Sequence, residues 1–195
     1  MPSPRERMVV SAALLIRERG AHATAISDVL EHSGAPRGSA YHYFPGGRTQ
    51  LLCEAVDYAG DHVARIIAEA RDSRELLDTL IDKYRRQLRD TDFRAGCPVV
   101  AVSVEAGEET DRERMAPVTE RAAAVFARWC DLIAQRFVSD GMPADEAHEA
   151  ALLATSALEG AIVLARVRRD LAPLDAVHRR LRALLPLGKE HEDDR

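Results

Sequence analysis

The side chains of this sequence best suited to bind a partner molecule through hydrogen bonds lie in one short stretch, GAPRGSAYHYFPGGRTQLL, at positions 34–52. Its polar aromatic and basic side chains are Arg37, Tyr41, His42, Tyr43 and Arg48. Phenol, imidazole and guanidinium groups donate hydrogen bonds to phosphate oxygens and base edges, and the rings pack on sugars and thymine methyl groups. The stretch therefore has the chemistry to contact duplex DNA.

Glycine and proline limit how this stretch can fold. Gly34 lies at one end and Pro45-Gly46-Gly47 at the other, which leaves a helix of only about eight residues. Ala40 and Phe44, four residues apart, form its inward face, so residues 41–43 point largely outward. The alternative is that AYHYF is an ordinary buried aromatic cluster. Three consecutive rings point in different directions on so short a helix and cannot all be buried, and the flanking arginines also favour exposure.

Two further helices are predicted to hold this short one in place. Apolar residues recur at helical spacing from Met8 to Ile16 and stop at Gly20, which predicts a first helix. Thr24 is the predicted N-cap of a second helix, AISDVLEHS, that ends at Gly34. Two short helices joined by a tight glycine-containing turn form a helix-turn-helix, whose second helix can lie in the major groove.

The rest of the chain also reads as helices. The predicted spans are about 49–71, a fifth helix marked by Leu76 to Leu88, and about 116–139, 144–169 and 174–185. The segment RAGCPVVAVSVEAG is predicted to be helical, because a strand of eight residues isolated among helices would have no partner. The predicted fold is all-α, with an N-terminal three-helix helix-turn-helix DNA-binding domain (1–48), a larger helical ligand-binding and dimerisation domain (49–188) and a disordered tail (189–195).

Charge and composition narrow the class of protein. The net charge is −5, but residues 1–50 hold six arginines against four acids, so a mildly basic head precedes an acidic body. Three cysteines in apolar stretches indicate reduced core thiols rather than disulfides or a zinc site. We find neither an apolar run of 18 residues nor a signal-peptide pattern, which predicts a cytoplasmic protein that does not enter a membrane.

Sequence motifs of enzymes are missing. Neither G-x-S-x-G nor H-E-x-x-H occurs, no glycine-rich phosphate loop is present, and His62, Cys97 and Glu159 are scattered along the chain. We therefore expect no catalysis, no cofactor and no metal. The remaining alternative to a DNA-binding protein is a helical interaction module whose N-terminal head contacts another protein.

The segment TAISDVLEHSGAPRGSAYHYFPGGRTQLL resembles the DNA-binding signature of the TetR family of bacterial transcriptional repressors, and the match covers about residues 8–56. It departs from that signature at Ala40, where a larger aliphatic residue is usual, and in PGGR, which is one residue longer than the commoner loop. FPGGRTQLL and GCPVVAVSVE also resemble the LmrA/YxaF-type subgroup, which is associated with multidrug efflux or small-molecule responses. The resemblance implies residues at or near DNA at Thr24, Arg37, Gly38, Ser39, Tyr41, His42, Tyr43 and Arg48.

The same resemblance implies a homodimer on a palindromic double-stranded DNA operator, released by a small-molecule inducer that binds the helical body. Small residues at helical spacing support the dimer independently, because they let two helices approach closely. Packing of the same strip within one chain is the alternative. The predicted dimerisation residues are Trp129, Ala147, Ala150, Ala154, Ala157 and Ala161.

A hydrophobic inducer is expected because the candidate pocket residues include numerous aliphatic and relatively few aromatic side chains, with a few polar tips. The predicted ligand-binding residues are Tyr58, His62, Ile66, Tyr84, Leu88, Cys97, Val100, Val104 and Phe126.

Overall fold

The computed structural model describes residues 2–105 and 109–185, with the side chains of 2–105 and 113–185. The predicted tail lies outside the described residues. The helices are α1 (Pro4–Arg19), α2 (Ile26–Ser33), α3 (Ser39–Tyr43), α4 (Gly47–Glu69), α5 (Ser73–Asp90), α6 (Pro98–Ser103), α7 (Glu109–Ser139), α8 (Ala144–Arg168) and α9 (Ala172–Leu184). No strand occurs within the described ranges, so the predicted all-α class is confirmed, and the GCPVV segment is a helix as expected.

The described residues form two compact units. The first consists of residues within Met1–His62 and Arg94–Phe126, and the second of residues within Val63–Phe93 and Ala127–Arg195. The first unit therefore contains α1, α2, α3 and α6 with the beginnings of α4 and α7. Helix α6 packs against α1, so this unit contains residues from both sides of the domain boundary that the sequence predicts after residue 48, and the predicted domain bounds stay a prediction.

Helix caps and a continuous apolar core stabilise the first unit. Ser3 and Glu6 form a capping box at the start of α1, and Gly20 ends that helix with a φ of 87°. Gly34 ends α2 in the left-handed conformation with a φ of 64°, as the sequence predicted. Apolar side chains of α1, α2, α3 and α4 fill the space between these helices. Those with at most 1 % of their surface exposed include Met8, Ile16, Val29, Ala40, Phe44, Leu51 and Leu52.

Helix α4 contributes to both units. Its residues up to His62 belong to the first and its residues from Val63 to the second. Within the first unit Gly60 permits a close approach to α7, because a Cβ atom at that position would lie 2.7 Å from Cγ2 of Val125. A larger residue at Gly60 would push the two helices apart.

In the second unit the small residues of α8 pack inward. Helix α8 lies against α9 and α5, and α5 and α9 are joined by ion pairs of Arg85 with Asp175 and of Asp78 with Arg182, at 2.6 and 3.0 Å. The alanines of α8 that are at most 2 % exposed are Ala147, Ala151, Ala161 and Ala165.

Burial within one chain bears on the predicted dimer interface. Trp129, Ala147 and Ala161 are at most 3 % exposed in a single chain, so they pack within it, and their part in a dimer stays a prediction. Arginine at Ala161 would therefore disrupt the fold rather than report on assembly. The partly exposed Ala150, Ala154 and Ala157 of the predicted strip stay candidates for that contact.

Large apolar residues occupy the exposed face of α8. The side chains that are 44–80 % exposed on this helix are Leu152, Leu153, Val163, Leu164 and Val167. By length and composition alone α8 could span a membrane, with a mean hydropathy of 1.6 over an 18-residue window. Glu159 and Arg166 interrupt this helix, so it is not the unbroken apolar run of 18 residues that the sequence lacks, and the expectation that the protein does not enter a membrane stays an expectation.

Candidate nucleic-acid interface and ligand cavity

Helix α3 presents its polar aromatic residues to solvent. Ala40 and Phe44 are each 1 % exposed and anchor the helix on its inner side, whereas Tyr41 is 73 % exposed and His42 is exposed beside it. An aromatic ring that stays exposed to water contributes little apolar burial to the fold. The arrangement leaves phenol and imidazole groups available for hydrogen bonds to DNA phosphates and base edges.

Local hydrogen bonds fix the ends of α3. At its start the Ser39 hydroxyl donates to the carbonyl oxygen of Pro36 at 2.7 Å, and at its end the N–H of Phe44 donates to the carbonyl of Ala40 at 2.8 Å. Ser39 and Tyr43 are half-buried. The rings of His42 and Tyr43 meet edge to face, with centroids 5.1 Å apart. The side chains are thus held on a short rigid element.

Of the predicted DNA-contact residues, Arg37 and Gly38 are exposed in the turn before α3, alongside the outward Tyr41 and His42. Arg37 lies where the N-terminal end of a recognition helix meets DNA. Their contacts with DNA stay predictions, and their positions on the surface are compatible with them.

Thr24 is not the N-cap of α2 that the sequence predicted, and its contact with DNA stays a prediction. It is 1 % exposed, and its hydroxyl donates to the carbonyl oxygen of Gly20 at 2.7 Å. The N-cap of α2 is Ala25, whose N–H donates a hydrogen bond to Oδ2 of Asp28 at 3.1 Å. Thr24 therefore stabilises the turn between α1 and α2 from inside.

Arg48 also forms hydrogen bonds with the protein backbone. Its Nε donates to the carbonyl oxygen of Thr24 at 3.0 Å, and its Nη2 donates to the carbonyl of Ala21. These bonds give Arg48 a structural role, in which α4 holds the α1–α2 turn. Its contact with DNA stays a prediction.

The same turn is held from its other side by a carboxylate that sequence reasoning missed. Both oxygens of Glu105, just beyond α6, accept from the N–H of His22, at 3.2 and 3.1 Å, and the Nδ1 of the His22 ring lies 3.0 Å from Oε2. A contact over 83 positions leaves no periodic trace in a sequence. The α1–α2 turn is thus clamped between an arginine of α4 and a glutamate that follows α6.

The basic residues of α1 also have structural partners. Arg5 forms an ion pair with Glu54 at 2.7 Å and lies 5.3 Å from the centre of the Phe44 ring. Arg7 donates from Nε to the carbonyl oxygen of Ser33 at 3.2 Å. These arginines tie α1 to α2, α3 and α4, so they support the exposed face of α3.

A separate apolar cavity lies in the second unit and has a volume of about 50 Å³. Its walls come from α4, α5, α7, α8 and α9. Residues that line it include Val63, Ile67, Leu77, Leu80, Tyr84, Trp129, Ile133, Phe137, Leu158, Glu159 and Leu181. Its lining is therefore almost wholly apolar, as expected for a small-molecule site.

The predicted ligand-binding residues do not converge on this cavity, and among them Tyr84 alone lines it. Leu88 is fully buried core, Ile66 is half-buried, and Val104 is 72 % exposed. Tyr58 lines an open groove of the first unit instead. The others, His62, Cys97, Val100 and Phe126, are absent from the lining.

One signal could have located the cavity from the sequence. Trp129, Ile133 and Phe137 recur every four residues and form one face of α7 that lines it. The sequence interpretation assigned Trp129 to a dimer interface because its partner helices were unknown.

Potential metal ligands are dispersed among the described residues. No group of three or more histidine, cysteine, aspartate or glutamate side chains among them could hold a metal ion. The three cysteines are free thiols, as predicted, and burial raises the pKa of the Cys53 thiol. The described residues thus combine an exposed aromatic face on α3 in the first unit with an apolar cavity in the second.

Comparisons with known proteins agree with this architecture. The chain is 80% identical, over 95% of both chains, to the HTH-type transcriptional regulator Rv0196 of Mycobacterium tuberculosis. It is 31% identical to the HTH-type regulator YxaF of Bacillus subtilis, covering 87% of this chain and 88% of that protein. Its fold matches a TetR transcriptional regulator from Legionella pneumophila with a TM-score of 0.81 at 17% identity, over 95% and 98% of the two chains.

Two family models match successive parts of the sequence. Residues 9–55 match bacterial regulatory proteins of the tetR family, and residues 73–180 match the C-terminal domain of LmrA/YxaF-like transcriptional regulators. The first match contains all of α2 and α3, and the second contains all of α5, α6, α7 and α8. The chain therefore belongs to the TetR family of transcriptional regulators and carries an LmrA/YxaF-like C-terminal domain.

Proposed function

We propose that this protein is a cytoplasmic, homodimeric repressor that binds a palindromic operator and releases it when a hydrophobic small molecule occupies its helical body. The observation that carries the DNA-binding part is the outward orientation of Tyr41 and His42 on a helix whose inner face is buried. Side chains in these positions can enter a major groove without any change in the core.

Selection from a library of random DNA duplexes tests this proposal, because the enriched sequences themselves identify the operator. The full-length protein should enrich a palindromic sequence whose half-sites lie about one helical turn, 10–10.5 base pairs, apart or a multiple of it. Enrichment of single, non-repeated sites or of no sequence at all would contradict the proposal.

The exposed rings of α3 should contribute directly to specificity. We expect Tyr41→Phe and His42→Ala each to weaken binding to the selected duplex by about 1–3 kcal/mol, because each removes a hydrogen-bonding group at the groove. Fluorescence anisotropy at constant salt measures the loss. His32→Ala is the control, because it removes the same imidazole group from an exposed position of α2 instead of α3. Unchanged affinity in both α3 variants, with an intact helical signal, would remove α3 as the recognition helix.

The exposed apolar face of α8 supports the dimer. Leu152, Val163 and Val167 lie on one side of the helix at spacings of eleven and four residues, and Gly160 lies between them with open space where its Cβ would be. A second copy of the same helix could approach closely over Gly160 and cover the flanking aliphatic side chains. A symmetric dimer also matches a palindromic site.

The path of α4 supports the ligand response. This helix starts three residues after Phe44, and Val63 and Ile67 near its other end line the apolar cavity. A ligand that displaces these side chains acts on the same helix that begins just after α3. DNA and ligand should therefore oppose each other, with a reciprocal coupling of about 1–3 kcal/mol.

A further inference from the structure

The turn between α1 and α2, residues 20–25, determines the direction in which α2 leaves α1. The hydroxyl of Thr24 closes this turn from inside by donating to the carbonyl oxygen of Gly20 at 2.7 Å. Residues 34–38 alone separate α2 from α3, and the buried side chains of Val29 and Phe44 belong to the same core. A change of angle in the turn is therefore passed to α3 and to the rings that α3 exposes.

A carboxylate from a distant part of the chain holds the turn from outside. Both oxygens of Glu105 accept from the backbone N–H of His22, at 3.2 and 3.1 Å, and Oε2 also lies 3.0 Å from Nδ1 of the ring. Hydrogen bonds to an ionised group are roughly twice as strong as those between neutral groups. The Glu105 side chain is 18 % exposed, so it lies mostly against the protein.

Gly20 makes room for this carboxylate. Its φ of 87° lies in a region that side chains rarely adopt, and a Cβ atom at residue 20 would overlap Oε1 of Glu105. Alanine at this position would therefore strain the backbone and also displace the carboxylate. The two residues form one contact, in which the missing side chain of the first admits the charged group of the second.

Helix α6 presents Glu105 from a fixed position. Two residues before that helix, the N–H of Gly96 donates to the carbonyl oxygen of Arg17 in α1 at 2.8 Å. Cys97, Val99 and Val102 are at most 4 % exposed, and α6 packs against α1. Because the backbone on both sides of the contact is already ordered, the bond to the turn fixes only the Glu105 side chain.

Arg48 acts on the same turn with the opposite charge. Its guanidinium donates to the carbonyl oxygens of Ala21 and Thr24, whereas the Glu105 carboxylate accepts from the N–H of His22. Backbone donors and acceptors of the turn are thus bonded by one anion and one cation that lie outside it. Removal of the anion would leave the turn held by Arg48 and Thr24.

We propose that Glu105 is a positioning residue for DNA recognition, because its bond to His22 fixes the direction of α2 and thereby the placement of α3. This inference deepens the proposed operator binding and rests on it. Glu105 lies within residues 73–180, which match the C-terminal domain, and outside residues 9–55, which match the tetR family. Recognition of the operator therefore depends on a side chain that the helix-turn-helix itself does not contain.

Substitution of Glu105 should weaken specific binding more than non-specific binding. We expect Glu105→Ala to lower affinity for the selected duplex about tenfold and affinity for an unrelated duplex less than about twofold, because phosphate contacts need no defined placement of α3. Glu105→Gln keeps an oxygen that accepts from the N–H of His22, so it should recover affinity to within about threefold of the wild type. No loss, equal losses on both duplexes, or a glutamine variant as weak as the alanine variant would overturn the proposal.

Glu120→Ala is the matched control, because it removes the same carboxylate from an exposed position of α7 in the same unit. It should bind both duplexes as the wild type does. Fluorescence anisotropy at constant salt measures binding, and urea denaturation checks that each variant is folded. A loss in Glu120→Ala equal to that in Glu105→Ala would assign the effect to net charge and overturn the positioning role.

A double-mutant cycle tests the contact with Gly20. Gly20→Ala alone should weaken binding to the selected duplex, because the added methyl group displaces the Glu105 carboxylate and strains the backbone. In the Glu105→Ala background the same substitution meets the strain alone, so its cost should be at least about threefold smaller. Additive losses from the two substitutions would overturn the assignment of this contact.

Amide exchange in the absence of DNA separates this inference from the proposed function. In Glu105→Ala, exchange should accelerate in residues 20–25, α2 and α3, while α8 keeps the wild-type rates. Such acceleration, in a protein that enriches no duplex as the wild type, would support the positioning of α3 by Glu105 and contradict the proposed operator. Unchanged exchange in α3 would overturn the positioning role even where an operator has been found.

Discussion

The double substitution Leu153→Arg with Leu164→Arg is expected to convert the protein from a dimer to a monomer at micromolar concentration. Both side chains are 55 % exposed on the apolar face of α8. Two arginines on each copy would place four desolvated charges in a self-complementary interface, so association should fail while each chain stays folded. A monomer engages one half-site at a time, and operator affinity should fall by about 100-fold or more.

Ala68→Arg with Thr79→Arg is the matched control, because it adds the same charges at exposed positions of α4 and α5. It should stay dimeric. Light scattering and analytical ultracentrifugation measure the assembly. A monomeric wild type, or a Leu153/Leu164 variant that remains dimeric, would show that the exposed face of α8 is not the interface.

Truncation of the buried ring of Phe44, which directly follows α3, should have the largest effect on stability. We expect Phe44→Ala to destabilise the helices around it by about 3–5 kcal/mol, because the side chain is 1 % exposed and its removal leaves a cavity beneath the recognition helix. It also removes the ring that faces the guanidinium of Arg5. Urea denaturation, with amide exchange of α1 to α3 as a local readout, measures the loss.

Tyr41→Ala provides the comparison, since it removes an aromatic ring three positions away that is 73 % exposed. Its effect on stability should lie within about 0.5 kcal/mol, while its operator affinity falls. Equal destabilisation by the two variants would mean that the inward and outward faces of α3 have been assigned incorrectly.

The faces of α3 could be predicted from the sequence because the reasoning was local. Gly34 and Pro45 limit the length of the segment, and the spacing of Ala40 and Phe44 then fixes which side is buried. The structure has this arrangement, with a helix of 5 residues between Ser39 and Tyr43.

The roles of Thr24 and Arg48 could not be predicted in the same way. Both side chains donate hydrogen bonds to backbone carbonyl groups of the α1–α2 turn. The residue type alone, threonine or arginine, does not show whether the side chain contacts DNA or the backbone of the protein. A family signature marks such positions as characteristic without separating contact with DNA from support of the turn. The hydrogen-bond partners of Thr24 and Arg48 can be identified only from the folded conformation of the turn.

Helix α8 and the cavity show what the periodicity of a sequence cannot predict, namely which face of a helix is buried and which faces of different helices meet. The alanine strip and the leucine–valine strip of α8 are both regular, and either could be the buried one. Close packing against α9 and α5 favours the small residues inside, which leaves the larger ones exposed. The cavity requires five helices to meet, and spacing within each helix contains no information about which faces converge.

Operator binding by a dimer is tested most directly by titrating the selected palindromic duplex with the wild-type protein at several salt concentrations. We expect two chains per duplex and an affinity that falls steeply as salt rises, because lysine and arginine contacts with phosphates release counterions. Binding that is independent of salt, or a stoichiometry of one chain per palindrome at saturation, would contradict the proposed function.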